Sequence, residues 1–464
     1  MTELPRLNQL SDVEKDALIR GLWEEQVKLR AEQASLREQL SALQGKRKRP
    51  KKTSKNSSLP PAKGFKATVK TADASSSEST PRRGHGQGGR ELSASPTQVV
   101  TAKAKVCSHC GEAVLSDSQA LRQVYERIDL PPIEPVVTRV DRYGGTCSCC
   151  GEAYLAPVPV GLEPGSPFGA SIETLVSYLR YGHAISYERL RTLVSDLFGL
   201  SISEGGIANL LQRVNEKLQA PVAAIYERLQ QSRLVCSDET GARVNGKPQW
   251  EWVFQNEDVC LHLIRPSRSG AVISEVFGPK RPQIWVSDLY SAQRTHGAQQ
   301  WQMCLAHQLR DCQYAIDSGD DLFAPRMKQL LLKAIAIDRR RHQLAASTLA
   351  QYRSCLRGGL REILNLKPKN ADGQRLVKRY RALRESILLF LDEAAIPPTN
   401  NSSEQALRWS VVFRKVTHGF RSDWGSDLFA QVRSIVNTGK RQGMSALEAI
   451  ARAIMTPHAF CLGG

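Results

Sequence analysis

Apolar residues recur at three different spacings along this 464-residue chain, and each spacing predicts a different element. Between residues 17 and 44, Leu22, Leu29, Leu36 and Leu43 stand seven apart, with Ile19 and Leu40 on the flanking seam and charged residues elsewhere. This is the pattern of a short coiled coil, weakened by Gln26 and Gln33 on the same seam, so a zipper between chains and a surface helix packed on its own domain both fit. Over residues 170–216 the spacing is helical: "SIETLVSYLRYG" and "SYERLRTLVSDLFG" end at Gly199, and "SISEGGIANLLQRVNEKL" opens on Ser203 as a helix cap. Helix, glycine turn, helix is the outline of a helix-turn-helix, and equally of many helical linkers. From residue 233 the period becomes two. "RLVCSDETGARV", "QWEWVFQ" and "VCLHLIRP" predict three consecutive antiparallel strands, the first two joined at Asn245-Gly246. "GAVISEVFG" predicts a short helix and "PQIWVSDLYSAQ" a fourth strand. A long helical stretch follows, with the run Arg339-Arg340-Arg341 facing DNA or solvent.

Charge adds a partner to this outline. The formal net charge is +18, and ten lysines or arginines without one acid lie between Gly45 and Lys70. From there to about Thr101 the chain is rich in Ser, Gly, Pro and Gln, a linker composition. Lys46, Arg47, Lys48, Arg49, Lys51 and Lys52 form a cationic arm suited to tracking phosphates, or a solvated tail. No apolar run approaches the roughly 18 residues of a membrane span, and the first residues lack the basic-then-apolar order of a leader. The expectation is a soluble, intracellular protein with nucleic acid as its partner. Eleven cysteines, an odd number on a long chain, speak against a secreted disulfide framework.

Four of those cysteines repeat one pattern: "CSHCGEAVL" at 107 and "CSCCGEAYL" at 147. Two Cys-x-x-Cys knuckles, each followed by a turn-making glycine, fit one tetrahedral zinc ion held by Cys107, Cys110, Cys147 and Cys150. Four thiolates leave no open position, so the zinc would be structural. Carboxylates raise a second question. Two apolar runs carry an aspartate at their ends, Asp238 and Asp288, with no basic residue in either strand beside it. A buried carboxylate is costly unless paired or bound to a metal, so the two are candidates for holding a divalent cation together. A third acid is sought downstream. Glu404 opens a predicted helix that continues through Arg408, Arg414 and Lys415 towards Arg421, and Asn401-x-x-Glu404 is also a capping box. Asp392 and Glu393 are the alternatives just upstream. Cys304 and His307, three apart, provide two ligands where a zinc site needs four, so a packed thiol and a histidine auxiliary to the active site fit better.

The order of three antiparallel strands, a helix and a further strand, with aspartates on the first and fourth, is that of ribonuclease-H-like nucleases. Taken together, the paired knuckles, "SDETGARV", "VSDLYSAQ", "CLAHQLRD" and "NNSSEQALR...RK...GF" resemble, in the same order, the insertion-sequence-66 family of bacterial DDE transposases. Two positions depart from the pattern: Thr399 precedes the paired asparagines and Leu289 follows Asp288. The resemblance implies a multidomain α+β protein. Its parts are a coiled-coil helix (1–44), a basic linker (45–102) and a zinc-ribbon-like segment (103–160). A helix-turn-helix-like DNA-binding segment follows (166–230), then a ribonuclease-H-like catalytic core (231–425) with a helical insertion at about 320–385, and a C-terminal helical tail (426–464). It implies catalysis by Asp238, Asp288 and Glu404 with two Mg²⁺ or Mn²⁺ ions and one structural Zn²⁺. Double-stranded DNA at transposon ends and target is the implied partner, contacted by the arm and by Arg408, Arg414, Lys415 and Arg421. A homo-oligomer on DNA, accessory proteins of the same element and a bacterial cytoplasmic, nucleoid-associated setting also follow. A non-catalytic regulator or a decayed copy of such an element is the alternative.

Overall fold

A computed structural model describes residues 11–45, 50, 52, 56 and 91–460. Two compact units are present: Ala67–Val158 with Leu193–Ser201, and Met1–Lys66 with Pro159–Thr192 and Ile202–Gly464. In the smaller unit the two knuckles fold alike. The Cys107 and Cys147 amides donate to the carbonyls of Glu112 and Glu152, both at 2.8 Å. Gly111 (φ 77°) and Gly151 (φ 74°) make each turn in left-handed backbone, which a Cβ would strain. The antiparallel strands β1 (Gly144–Thr146) and β2 (Ala153–Leu155) frame the second knuckle, and a bridge between Val106 and Ala113 frames the first.

The larger unit is a mixed sheet surrounded by helices. Its first helix, α1 (Asp12–Gly45), leaves Leu22, Leu29 and Leu36 more than half exposed, so this stripe is not packed on the described residues of its own domain. Leu43 falls where side chains are not described. Next come α2 (Ala170–Ser177), a π-helical turn over Tyr178–Gly182, α3 (Tyr187–Phe198), α4 (Glu204–Lys217) and α5 (Gln219–Gln230). Gly199, at φ 61°, follows α3, and the Ser203 hydroxyl caps α4 by accepting the Gly206 amide at 3.0 Å.

The strands are β3 (Leu234–Val244), β4 (Lys247–Gln255), β5 (Cys260–Arg265), β6 (Ile284–Ser287) and β7 (Gln300–Met303), with α6 (Ala271–Phe277) between β5 and β6. They lie in the order β5-β4-β3-β6-β7. The first three are antiparallel, and β3, β6 and β7 run parallel. Asn245 (φ 50°) and Gly246 (φ 74°) both take positive φ in the β3–β4 turn, as a two-residue hairpin requires. Strand β7 has only a weak signal in the sequence, because the polar-apolar alternation of "QWQM" spans just four residues. Its buried Gln302 is matched instead by the carbonyls of Met303 and Ile387 and by the Phe390 amide. Trp252, Phe254, Phe277 and Trp285 stack and meet edge-on within the core, with neighbouring ring centroids 5.4–6.2 Å apart.

Beyond β7 the chain is helical: α7 (Leu305–Asp317), α8 (Phe323–Arg339), α9 (Ala346–Leu364), α10 (Ala371–Ala382), α11 (Asn401–Thr417), α12 (Asp423–Arg441) and α13 (Ala446–Met455). Helices α7 to α10 share an apolar core that includes Phe323, Met327, Leu331 and Tyr380. Of the arginine run, Arg339 and Arg340 are exposed, whereas the half-buried Arg341 ties its guanidinium to the carbonyls of Phe390 and Leu391. Helix α12 covers the edge strand β5, where the hydroxyls of Ser434 and Thr438 accept the His262 and Cys260 amides at 2.8 and 3.0 Å. The edge is thereby closed to strand addition. Helices α4 and α5 pack on α12, and α2 packs on α13. No described helix is long and apolar enough to cross a membrane.

Candidate active site

Register decides where the aspartates meet. Leu234 pairs with Ile284 and Cys236 with Val286 along the parallel β3–β6 ladder. Two residues further along each chain are Asp238 and Asp288. Asp238 stays in β3 on the face of Cys236, and Asp288 is one residue past β6, the neighbouring strand, close enough for its charge to act on Asp238. Asp288 comes just after β6 ends, at the carboxyl end of the parallel strands, where open α/β sheets place their ligands. Its Oδ1 accepts the Tyr290 amide at 2.9 Å.

Glu404 arrives from α11, which packs on β3 and β4. Three bonds fix that helix. The Asn400 amide nitrogen Nδ2 donates to the Ser237 carbonyl at 2.7 Å, Gln255 donates to the Ser403 hydroxyl at 3.0 Å, and the Ser410 hydroxyl donates to Glu251 at 2.7 Å. The capping box expected at Asn401 and Glu404 does not form. Asn400 occupies the cap position without a side-chain bond, and the Glu404 carboxylate turns inward, 3.8 Å from both His307 Nε2 and Arg310. Helix α11 starts one residue earlier than the box needs, which frees Glu404.

Electrostatics tie the three acids together. Asp238 has its carboxyl pushed well above the ordinary range, first by burial, then by the charges of Glu239 and Asp288, with Glu404 adding to the push. The neighbouring Glu239 side chain is 1% exposed and bound by Arg268 at 2.7 Å and by Gln293. Arg268 is in turn held over the rings of Tyr290 and Trp250, at 3.6 and 4.4 Å. Glu239, itself raised by burial, is thus paired with a cation, while among the described residues Asp238 has none. Asp392 and Glu393, the alternatives for the third acid, are committed to Arg357 and Arg233 respectively.

Other sequence-selected residues are dispersed. Arg408, Lys415 and Arg421 are exposed, and Arg414 lies half-buried beside Gly241 of β3. The "GF" pair is explained by a close approach: a Cβ on Gly419 (φ 110°) would stand 2.6 Å from the Arg243 carbonyl, where Phe420 bridges to Val244. Of the cationic arm, Lys46, Arg47, Lys48, Arg49 and Lys51 lie outside the described residues, while the Lys52 ammonium sits 6.0 Å from the Tyr314 ring centre. In the smaller unit, Cys107 and Cys147 have thiols lowered by backbone amides of Cys110 and His109, and of Cys150 and Cys149, and each meets the second thiol of its own knuckle. Among the described residues, the group of three ligating side chains within 4.8 Å of one another is Cys304, His307 and Glu404, and the knuckle cysteines are not gathered that closely.

A mixed sheet carries Asp238 and Asp288 on neighbouring parallel strands or just past their end, beside a helix with exposed basic residues. The model of the IS66 transposase family matches residues 165–428, more than half of the chain, and the chain belongs to that family. It is a transposase by family, with DNA as the material it acts on. Comparison with curated proteins found no match.

Proposed function

We propose that this chain is a DDE transposase that cleaves DNA strands at transposon ends and joins them to target DNA, using Asp238, Asp288 and Glu404. The observation that carries the reading is the placement of Asp238 and Asp288, each two residues past the paired Cys236 and Val286, with Glu404 from α11 acting on the same Asp238 carboxyl. The donor set is oxygen only and lacks a neutralising partner at Asp238, which suits hard cations such as Mg²⁺ or Mn²⁺. Two such ions, when bound, supply an activated water or DNA 3′-hydroxyl and stabilise the departing oxygen. Asp238, on the central strand, Asp288 and Glu404 would hold these ions. Arg268 keeps Glu239 out of that set. The sheet order, antiparallel at β5-β4-β3 and parallel at β3-β6-β7, supports a ribonuclease-H-like core. The deciding test is labelled transposon-end DNA incubated with and without Mg²⁺. Binding without metal-dependent cleavage would make the chain a DNA-binding regulator or an inactive copy instead.

The remaining parts follow the same proposal. Helices α3 and α4, either side of Gly199, would read DNA, α1 would join chains through its exposed leucines, and exposed Arg408, Lys415 and Arg421, with Arg414, would contact backbone phosphates. Deleting residues 1–70 is expected to weaken DNA affinity and flatten its salt dependence, because each phosphate-bound cation contributes a slope of about 0.9 in log affinity against log salt. Binding isotherms at several salt concentrations check this, and an unchanged slope would make the arm a plain linker.

The knuckles would close on one structural Zn²⁺ through Cys107, Cys110, Cys147 and Cys150. Their matching turns and amide-supported thiols fit a thiolate-binding ion. Chelation should disturb residues 107–150 and leave the larger unit folded, since the knuckles belong to the other unit. Metal content of purified protein and of Cys107→Ser reads this directly, and equal zinc in both would remove the site.

A further inference from the structure

The first turn of α7 and the first turn of α11 are pinned together where they begin. The Cys304 amide donates to the Ser287 carbonyl at 2.8 Å, just before Asp288, and the Leu305 amide donates to the Pro398 carbonyl at 3.0 Å. The Asn400 amide then donates to the Cys304 sulfur at 3.1 Å. This stitching adds to the two ligands visible in "CLAH" a third that the sequence separates by about a hundred residues. Cys304 Sγ, a His307 ring nitrogen and a Glu404 oxygen come within 4.8 Å of one another. Around them, His307 Nδ1, Asn400 Oδ1 and Glu404 Oε1 are buried without a hydrogen-bond partner. Buried polar atoms ordinarily find partners, so several orphans beside one thiol call for a ligand that is not protein.

We propose that Cys304, His307 and Glu404 form a binding site for a soft divalent cation of the zinc class, and that filling it withdraws Glu404 from Asp238 and Asp288. A sulfur, an imidazole nitrogen and a carboxylate oxygen select zinc over Mg²⁺, whereas Asp238 and Asp288 offer hard oxygen alone. Three protein ligands leave a fourth tetrahedral position for water or a DNA phosphate oxygen. Bonds of about 2.0–2.3 Å to the ion require the side chains to close in by roughly an ångström from their present separation. His307 and Glu404 are 17% and 35% exposed, which gives the ion a way in from solvent. On binding, the Cys304 S–H bond breaks, its proton leaves to solvent and the sulfur lone pair forms the bond to the ion, with no change in oxidation state. Glu404 thereby belongs to two metal sites of different hardness that cannot both have it. The existence of the site is independent of the catalytic reading; the withdrawal of Glu404 rests on it.

The test counts zinc and then follows cleavage. Full-length wild type, Cys304→Ala and His307→Gln are equilibrated with buffered zinc, and bound metal per chain is measured beside a thermal melt. Each variant is expected to hold one zinc fewer than wild type with a cooperative melt retained, and Co²⁺-loaded Cys304→Ala to lose part of the thiolate charge-transfer band. Should Cys304→Ala fail to fold, the more exposed His307→Gln still decides. Equal zinc in wild type and variants overturns the site. In the second step, zinc is titrated into wild type at fixed Mg²⁺ with transposon-end DNA, and cleavage is expected to fall at least tenfold as the additional zinc binds. Loss of zinc binding in the variants together with zinc-indifferent cleavage in wild type would retain the site and overturn the withdrawal. Wild type that never cleaves overturns the catalytic reading and the withdrawal with it, while the zinc count still rules on the site.

Discussion

Glu404→Gln is expected to lower Mg²⁺-dependent cleavage by more than about 100-fold with DNA affinity intact, since even groups one contact removed from a metal ligand cost 10–100-fold. The substitution keeps the size and hydrogen bonding of the side chain and removes its charge. Capping offers no competing explanation, because the cap residue of α11 is Asn400, and Glu404 takes no part in a capping box. Asp238→Asn should be as inactive, and combining the two should cost little more than either alone, as expected for groups that act as a unit. The two variants part company in stability. A carboxyl whose folded value is raised binds its proton more tightly in the folded state. Its penalty therefore appears as pH rises past the ordinary value of 3.8 and is complete once pH exceeds the raised folded value. Chelator-treated wild type should melt lower as pH rises through that window, and Asp238→Asn should flatten the trend and melt higher at neutral pH. Substantial cleavage by Glu404→Gln beside an inert Asp238→Asn would defeat the triad.

Glu251→Ala is expected to cost about 3–5 kcal/mol, the scale for removing one member of a buried charged network. Glu251 is 2% exposed on β4, and its Oε1 meets His262 Nδ1 at 2.8 Å and the Ser410 hydroxyl at 2.7 Å. His262 Nε2 continues to Asn437 at 2.8 Å, which accepts from the buried Arg433 at 3.0 Å. Burial pulls the Arg433 guanidinium below its ordinary value, and the Glu251 charge is the leading counterweight. The variant would leave Arg433 without that anion and loosen α11, the helix that carries Glu404, from β4. Urea unfolding should show the loss, with cleavage falling alongside, while Glu251→Gln should lose less because it retains the acceptor oxygen. A change below about 1 kcal/mol in the alanine variant would mean the network adds little.

Local pattern carried much of this structure. The period-two runs placed β3, β4 and β5, Asn245-Gly246 marked the turn, Ser203 marked a helix start, and the two aspartates were visible at the ends of apolar runs. Each of these features is encoded within a few residues, where backbone sterics and side-chain alternation act directly. Strand β7 escaped because its alternation covers only four residues and places a polar Gln302 in the core, where distant Ile387 and Phe390 satisfy it. Arg341 escaped for the same reason: its partners are carbonyls about fifty residues away.

By itself, then, the sequence determined β3 to β6, helix starts such as Ser203 and the repeated knuckles, and singled out candidate acids. Only the tertiary structure decided that Asp238 and Asp288 each follow the paired Cys236 and Val286 by two residues, that Glu404 turns inward rather than capping α11, and that it stands beside Cys304 and His307. Local steric preferences reach a turn or two along the chain, whereas Glu404 meets Cys304 and His307 through helix packing across about a hundred residues. Over such distances closure is set by where buried groups such as Asn400, Gln255 and Glu251 find their partners, and no single stretch of sequence contains both ends of those bonds.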